Sequence, residues 1–111
     1  MKTKSMILVV GLLFFSMTSF FTMEAKTEKI KVYGNCGQCK TRIEKAAKSI
    51  AGVNKASWES KDEMLTVTYD PAKTTTQKIE EAVAKVGHDT DHVKATDKVY
   101  NALPACCQYR K

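Results

Sequence analysis

Glu28-Lys-Ile-Lys-Val-Tyr33 is followed without a break by Gly34-Asn-Cys-Gly-Gln-Cys39 and then by Lys40-Thr-Arg-Ile-Glu-Lys-Ala-Ala-Lys-Ser-Ile50. The first six residues alternate polar and apolar, the pattern of a half-buried strand. Gly34, Asn35 and Gly37 interrupt it, as turn residues do. Ile43, Ala46, Ala47 and Ile50 then recur at i, i+3, i+4 and i+7, which makes one apolar helix face. The two cysteines therefore fall where a strand hands over to a helix, one on the loop and one in the first helical turn. Unpaired helix N–H groups and the positive end of the helix dipole favour thiolates at that place.

Reading outward, Gly52 is expected to stop the helix, and Val53–Trp58 to form a second strand. Ser60-Lys61-Asp62 is a turn. Leu65, Val67 and Tyr69 alternate with Thr66 and Thr68 as a third strand, which Asp70-Pro71 ends. Thr74 and Gln77 have the spacing of a capping box. Beyond them Ile79, Ala82, Val83 and Val86 repeat the helical spacing up to Gly87, and a weak fourth strand is expected at Thr90–Val93. The order strand, helix, strand, strand, helix, strand specifies an α+β, ferredoxin-like βαββαβ sandwich: a four-stranded antiparallel sheet with both helices on one face.

The ends of the chain read differently. Lys2 and Lys4 precede an apolar run from Met6 to Phe21, after which small and polar residues return. This is the pattern of a secretory signal peptide, expected over residues 1–25, with an uncleaved membrane anchor as the alternative. Residues 26–95 then form the domain, and 96–111 a C-terminal tail with a short apolar patch, Val99–Leu103. The 111-residue chain carries a formal net charge of +6. Its lysines are scattered and do not interleave with aromatics, so nucleic-acid binding is not expected; they read first as a solvated basic surface, with an acidic protein partner as the functional alternative.

All four cysteines lie in the part expected to be exported, as two close pairs rather than a dispersed disulfide framework. Close pairs point to metal or redox chemistry. Two soft thiolates suit Cu(I), Zn(II), Cd(II) or Hg(II). Zinc wants four ligands, so a lone pair leans to ions that accept two.

Residues 29–94 resemble the heavy-metal-associated domain family of copper chaperones, heavy-metal ATPase modules and the periplasmic mercury-binding protein. The resemblance rests on Cys36-x-x-Cys39, Gly52-Val53, Val67-Thr68-Tyr69-Asp70-Pro71, Ile79-Glu80-Glu81-Ala82 and Gly87, in that order. It implies a metal site on Cys36 and Cys39, with Cu(I) favoured over Hg(II), Zn(II) and Cd(II). It also implies a non-enzymatic role: an exported, periplasmic protein, monomeric without metal, that passes its ion to a membrane transporter, an efflux pump or another metal-binding protein. Two departures stand out. Gly34 replaces a methionine that packs under the loop, which should loosen it. His88 stands on the loop that faces the metal, as a candidate third ligand.

Cys106 and Cys107 lie outside the family pattern. They could complete a four-sulfur site with the first pair, act as separate auxiliary thiols, or be redox-paired; the auxiliary reading is set narrowly first. Tyr100, Leu103 and Tyr109 are expected to dock the tail. The rival functional class is a small thiol–disulfide oxidoreductase, which also uses Cys-x-x-Cys at a helix start.

Overall fold

A computed structural model describes residues 24–111. The leader expected over residues 1–25 therefore lies outside the described residues, apart from Glu24 and Ala25. Among the described residues no helix is long and apolar enough to cross a membrane.

Strand β1 (Lys26–Lys31) leads through the cysteine loop into helix α1 (Gly37–Lys48). Strands β2 (Val53–Glu59) and β3 (Met64–Tyr69) form a hairpin, and helix α2 (Thr76–Lys85) follows. The sheet is antiparallel in the order β1-β3-β2. Its register sets Ile30 and Trp58 on either side of Leu65. Because β3 buries every second residue, Leu65, Val67 and Tyr69 face the helices. They meet Ile43, Ala46 and Ala47 of α1 and Ile79 and Val83 of α2 in a single core. The fold is thus the expected α+β, ferredoxin-like sandwich, with three strands in place of four.

The missing strand has a local cause. Val32 pairs with Thr90 in an isolated bridge. Beyond it, the Thr90 hydroxyl accepts from the backbone N–H groups of His92 (3.3 Å) and Val93 (3.0 Å). The Thr90 N–H donates to the Val93 carbonyl at 2.8 Å. The side chain and a tight backbone bond satisfy groups that a strand would offer to a neighbour, so the chain turns. The same hydroxyl donates to buried Glu80 Oε1 at 2.6 Å, which fixes the turn on α2.

Helix limits also move. The cap of α2 is Thr75, whose Oγ1 accepts from the Lys78 N–H at 3.3 Å; Thr74 is buried behind it, so the cap lies one residue beyond the expected box. Helix α1 closes at Lys48, four residues before Gly52, whose φ of +102° serves the turn into β2.

The tail is folded onto the domain. Thr96 caps a short helix, α3 (Asp97–Asn101), and a 3-10 turn covers Ala105–Cys107. Tyr100 and Leu103 are buried, as expected. Leu103 lies against Gly87, where φ is +111° and a Cβ would come within 2.8 Å of the leucine side chain. The Tyr109 hydroxyl donates to the Gly87 carbonyl at 2.7 Å and accepts from the Asp89 N–H at 2.6 Å. Arg110 forms a bidentate pair with Asp89 (3.0 and 2.8 Å) and lies over the Tyr100 ring at 4.3 Å.

Candidate metal centre

The cysteine loop is held from three sides. The Val32 N–H donates to the Glu63 carbonyl at 2.9 Å, and the Gly34 N–H to the Glu63 carboxylate at 3.1 Å. The Tyr33 N–H donates to the Asp89 carbonyl at 2.9 Å. Beneath the loop lies Trp58, fully buried, with its indole N–H on the Val32 carbonyl at 2.9 Å. A Cβ at Gly34 would meet the Trp58 ring at 3.1 and 3.2 Å and the Cys39 Cβ at 3.2 Å. Gly34 therefore does not leave a gap: the indole fills the space beneath it, and the loop is not loosened in the way the missing methionine suggested.

Cys36 is the N-cap of α1, with extended backbone and a half-buried side chain. Cys39 is in the first turn and fully buried, part of the core rather than of an exposed loop. Their sulfurs are 3.6 Å apart. The 3-10 turn of the tail brings Cys106 and Cys107 to the same place: Cys36 Sγ lies 3.6 Å from Cys106 Sγ and 3.5 Å from Cys107 Sγ. The sulfurs of Cys36, Cys106 and Cys107 all fall within 4.8 Å of one another. The tail pair is thus placed against the first pair and not apart from it.

The four thiols differ in acidity. The Cys39 backbone N–H, followed by the thiols of Cys107 and Cys106, stabilises negative charge on Cys36 and holds it down to about 6. Burial pushes Cys39 up to about 11. Cys107 is raised chiefly by burial, and Cys106 chiefly by its contact with Cys36. One negative charge therefore settles on Cys36, and its neighbours stay protonated around it. A cation that replaces those protons would relieve the repulsion that keeps them on. The Arg42 guanidinium donates to Cys107 Sγ at 3.3 Å and balances the charge of such a cluster. Arg42 was not singled out by its motif, although its place three residues after Cys39 puts it on the same helix face. Trp58 falls in the expected second strand and Glu63 just beyond the expected Ser60–Asp62 turn; neither position carries a sequence signal for a loop clamp.

His88 is fully buried. Its Nδ1 lies 2.8 Å from the Tyr33 carbonyl, which can only accept, so Nδ1 carries the proton. The opposite nitrogen, Nε2, is buried without a partner, and the ring stacks on Tyr109 at 5.4 Å. His88 is not in the group of mutually close sulfurs. His92 is exposed, with Nδ1 3.2 Å from Glu80 Oε1. Burial holds His88 below its ordinary 6.5. The unfolded chain then takes up this proton before the folded one, so stability should fall as pH drops below 6.5. Replacing His88 by Asn, which keeps a donor for Tyr33, should flatten that acid-side loss in urea midpoints measured from pH 7 to 5.

The chain resembles known proteins in this same region. The heavy-metal-associated domain model matches residues 35–89. A copper-exporting P-type ATPase of Bacillus subtilis is 35% identical over 88 residues, 78% of this chain, and a zinc-transporting ATPase of Synechocystis is 35% identical over 72 residues, 64% of this chain. The matches span only 11% and 10% of those two ATPases. Among solved structures, the CopZ metallochaperone is 30% identical with a TM-score of 0.57, covering 59% of this chain and 98% of its own. Oxidized MerP from Ralstonia metallidurans is 31% identical with a TM-score of 0.58, covering 60% and 94%. With nearly the whole of two small relatives matched in sequence and fold around the Cys36–Cys39 loop, this chain belongs to the heavy-metal-associated domain family.

Proposed function

We propose that this protein is a soft-metal carrier and not an enzyme. It takes up one ion, Cu(I) before Hg(II), Zn(II) or Cd(II), on Cys36 and Cys39, and yields it by thiolate exchange to a membrane metal transporter or another metal-binding protein. The observation that carries this reading is the Cys36–Cys39 sulfur pair, 3.6 Å apart at the start of α1, with Cys36 the more accessible of the two. An incoming thiolate can reach the ion from the Cys36 side while buried Cys39 still holds it. The copper-exporting ATPase, at 35% identity, supports copper as the metal and a transporter as the partner, and the zinc-transporting ATPase, also at 35%, keeps zinc among the candidate ions. Removal of residues 1–25 on export would place the carrier outside the inner membrane, where metal and disulfide compete for the same thiols.

One observation favours a second reading. An acidic, accessible Cys36 beside a buried, high-pKa Cys39 is also what a thiol–disulfide oxidoreductase uses for attack and resolution. A single comparison separates the two. Reduced protein should take up Cu(I) stoichiometrically against a chromophoric chelator, and fully oxidised protein none. Reduced protein that ignores Cu(I) but turns over a disulfide substrate would establish the oxidoreductase instead.

A further inference from the structure

Cys106 and Cys107 are built into place. Pro104 opens the turn that carries them, and Leu103, Tyr109 and Arg110 anchor its flanks on Gly87 and Asp89. The Asn35 side-chain amide, on the cysteine loop itself, lies 3.5 Å from the Cys106 carbonyl. The two sulfurs are 4.0 Å apart, about twice the length of a disulfide bond. Arg42 holds Cys107 from the side of α1.

The spacing matters for coordination number. With metal–thiolate bonds of about 2.3 Å, two sulfurs in a linear site stand about 4.6 Å apart, whereas the edge of a tetrahedral four-sulfur site is about 3.8 Å. The distances from Cys36 Sγ to Cys39, Cys106 and Cys107 are 3.6, 3.6 and 3.5 Å, and Cys106 to Cys107 is 4.0 Å. These four distances cluster around the tetrahedral edge and fall well short of the linear separation; the mutually close set is Cys36, Cys106 and Cys107, with Cys39 joined to it through Cys36.

We propose that the C-terminal Cys106-Cys107 pair is part of the metal site, so that the ion is held by three or four thiolates with Cys36 as the shared member. This deepens the carrier reading and rests on it. Each thiol that ligates loses its proton to solvent, and no electron moves. The tail becomes a clasp: an accepting protein must displace Cys106, the exposed member, before it reaches Cys36. The tail would then retain the ion until a partner with competing thiolates docks.

The test loads the full chain with Cu(I) anaerobically and counts sulfur neighbours by X-ray absorption, alongside chelator competition. Wild type should show three or four sulfurs. Cys106→Ser, at an exposed position that the fold does not need, should remove one. Cys106→Ser/Cys107→Ser should leave two and bind at least about tenfold more weakly. Two sulfurs and equal affinity in wild type and both variants would overturn the clasp and leave the Cys36–Cys39 carrier standing. Undiminished binding by Cys36→Ser/Cys39→Ser would overturn both, since the ion would then sit on the tail alone.

Discussion

Cys36→Ser should lower Cu(I) affinity by more than about 100-fold, beyond what loss of an outer-shell partner costs, and leave the fold intact. Cys36 Sγ lies close to each of the other three sulfurs: Cys39 at 3.6 Å, Cys106 at 3.6 Å and Cys107 at 3.5 Å. It is also the most acidic thiol, held near 6, so it offers a thiolate at neutral pH where the others must first lose a proton. A serine oxygen is a hard donor and does not replace it for a soft ion. The side chain is only half-buried and caps no backbone group, so folding should not suffer. Cys39→Ser differs, because that side chain is fully buried and packs in the core; it should lose both affinity and stability. Chelator competition with parallel urea unfolding separates the two. A Cys36→Ser protein that holds Cu(I) as tightly as wild type would remove Cys36 from the site.

Trp58→Ala should be the most damaging substitution to stability, at about 3–5 kcal/mol. The indole is fully buried, donates to the Val32 carbonyl at 2.9 Å and fills the space under Gly34. Its removal leaves a cavity between β2 and the cysteine loop and an orphaned carbonyl at the end of the loop's approach strand. For a domain of fewer than ~100 residues this should lower Tm by more than ~10 °C, read by far-UV circular dichroism because the chain's single tryptophan is lost. The family pattern carries methionine where this chain has Gly34. Gly34→Met alone should destabilise, since its Cβ meets the ring at 3.1 Å. In the Trp58→Ala background the same change should restore part of the loss. Additive effects in that double-mutant cycle would show that the two positions do not share one space.

The sequence carried the architecture because its signals are local. Alternation in Leu65–Tyr69, helical spacing from Ile43 and Ile79, and the Cys-x-x-Cys between strand and helix each need only a few neighbouring residues to be read. The fourth strand failed because Thr90 makes side-chain bonds to the backbone of His92 and Val93, and β-propensity is silent about that competition. Pairings across long sequence separations were equally silent. Nothing in Gly34 or Trp58 alone states that one fills the space left by the other, and Cys106 sits 70 residues from Cys36. The tail's anchoring residues, Tyr100, Leu103 and Tyr109, were legible as apolar surface needing cover; the place they deliver Cys107 to was not. His88 was placed near the metal by resemblance, and the structure finds its Nδ1 bound to the Tyr33 carbonyl and its ring under Tyr109.

The central claim is that these thiols hold a metal ion. Native mass spectrometry of the protein purified anaerobically from the cells that make it reads metal identity, stoichiometry and thiol state together. The expected species is one soft ion per chain, with the mass of a chain free of internal disulfides and with protons displaced by the ion. A metal-free chain that carries two disulfides, and that still takes up no Cu(I) after reduction, would contradict the account.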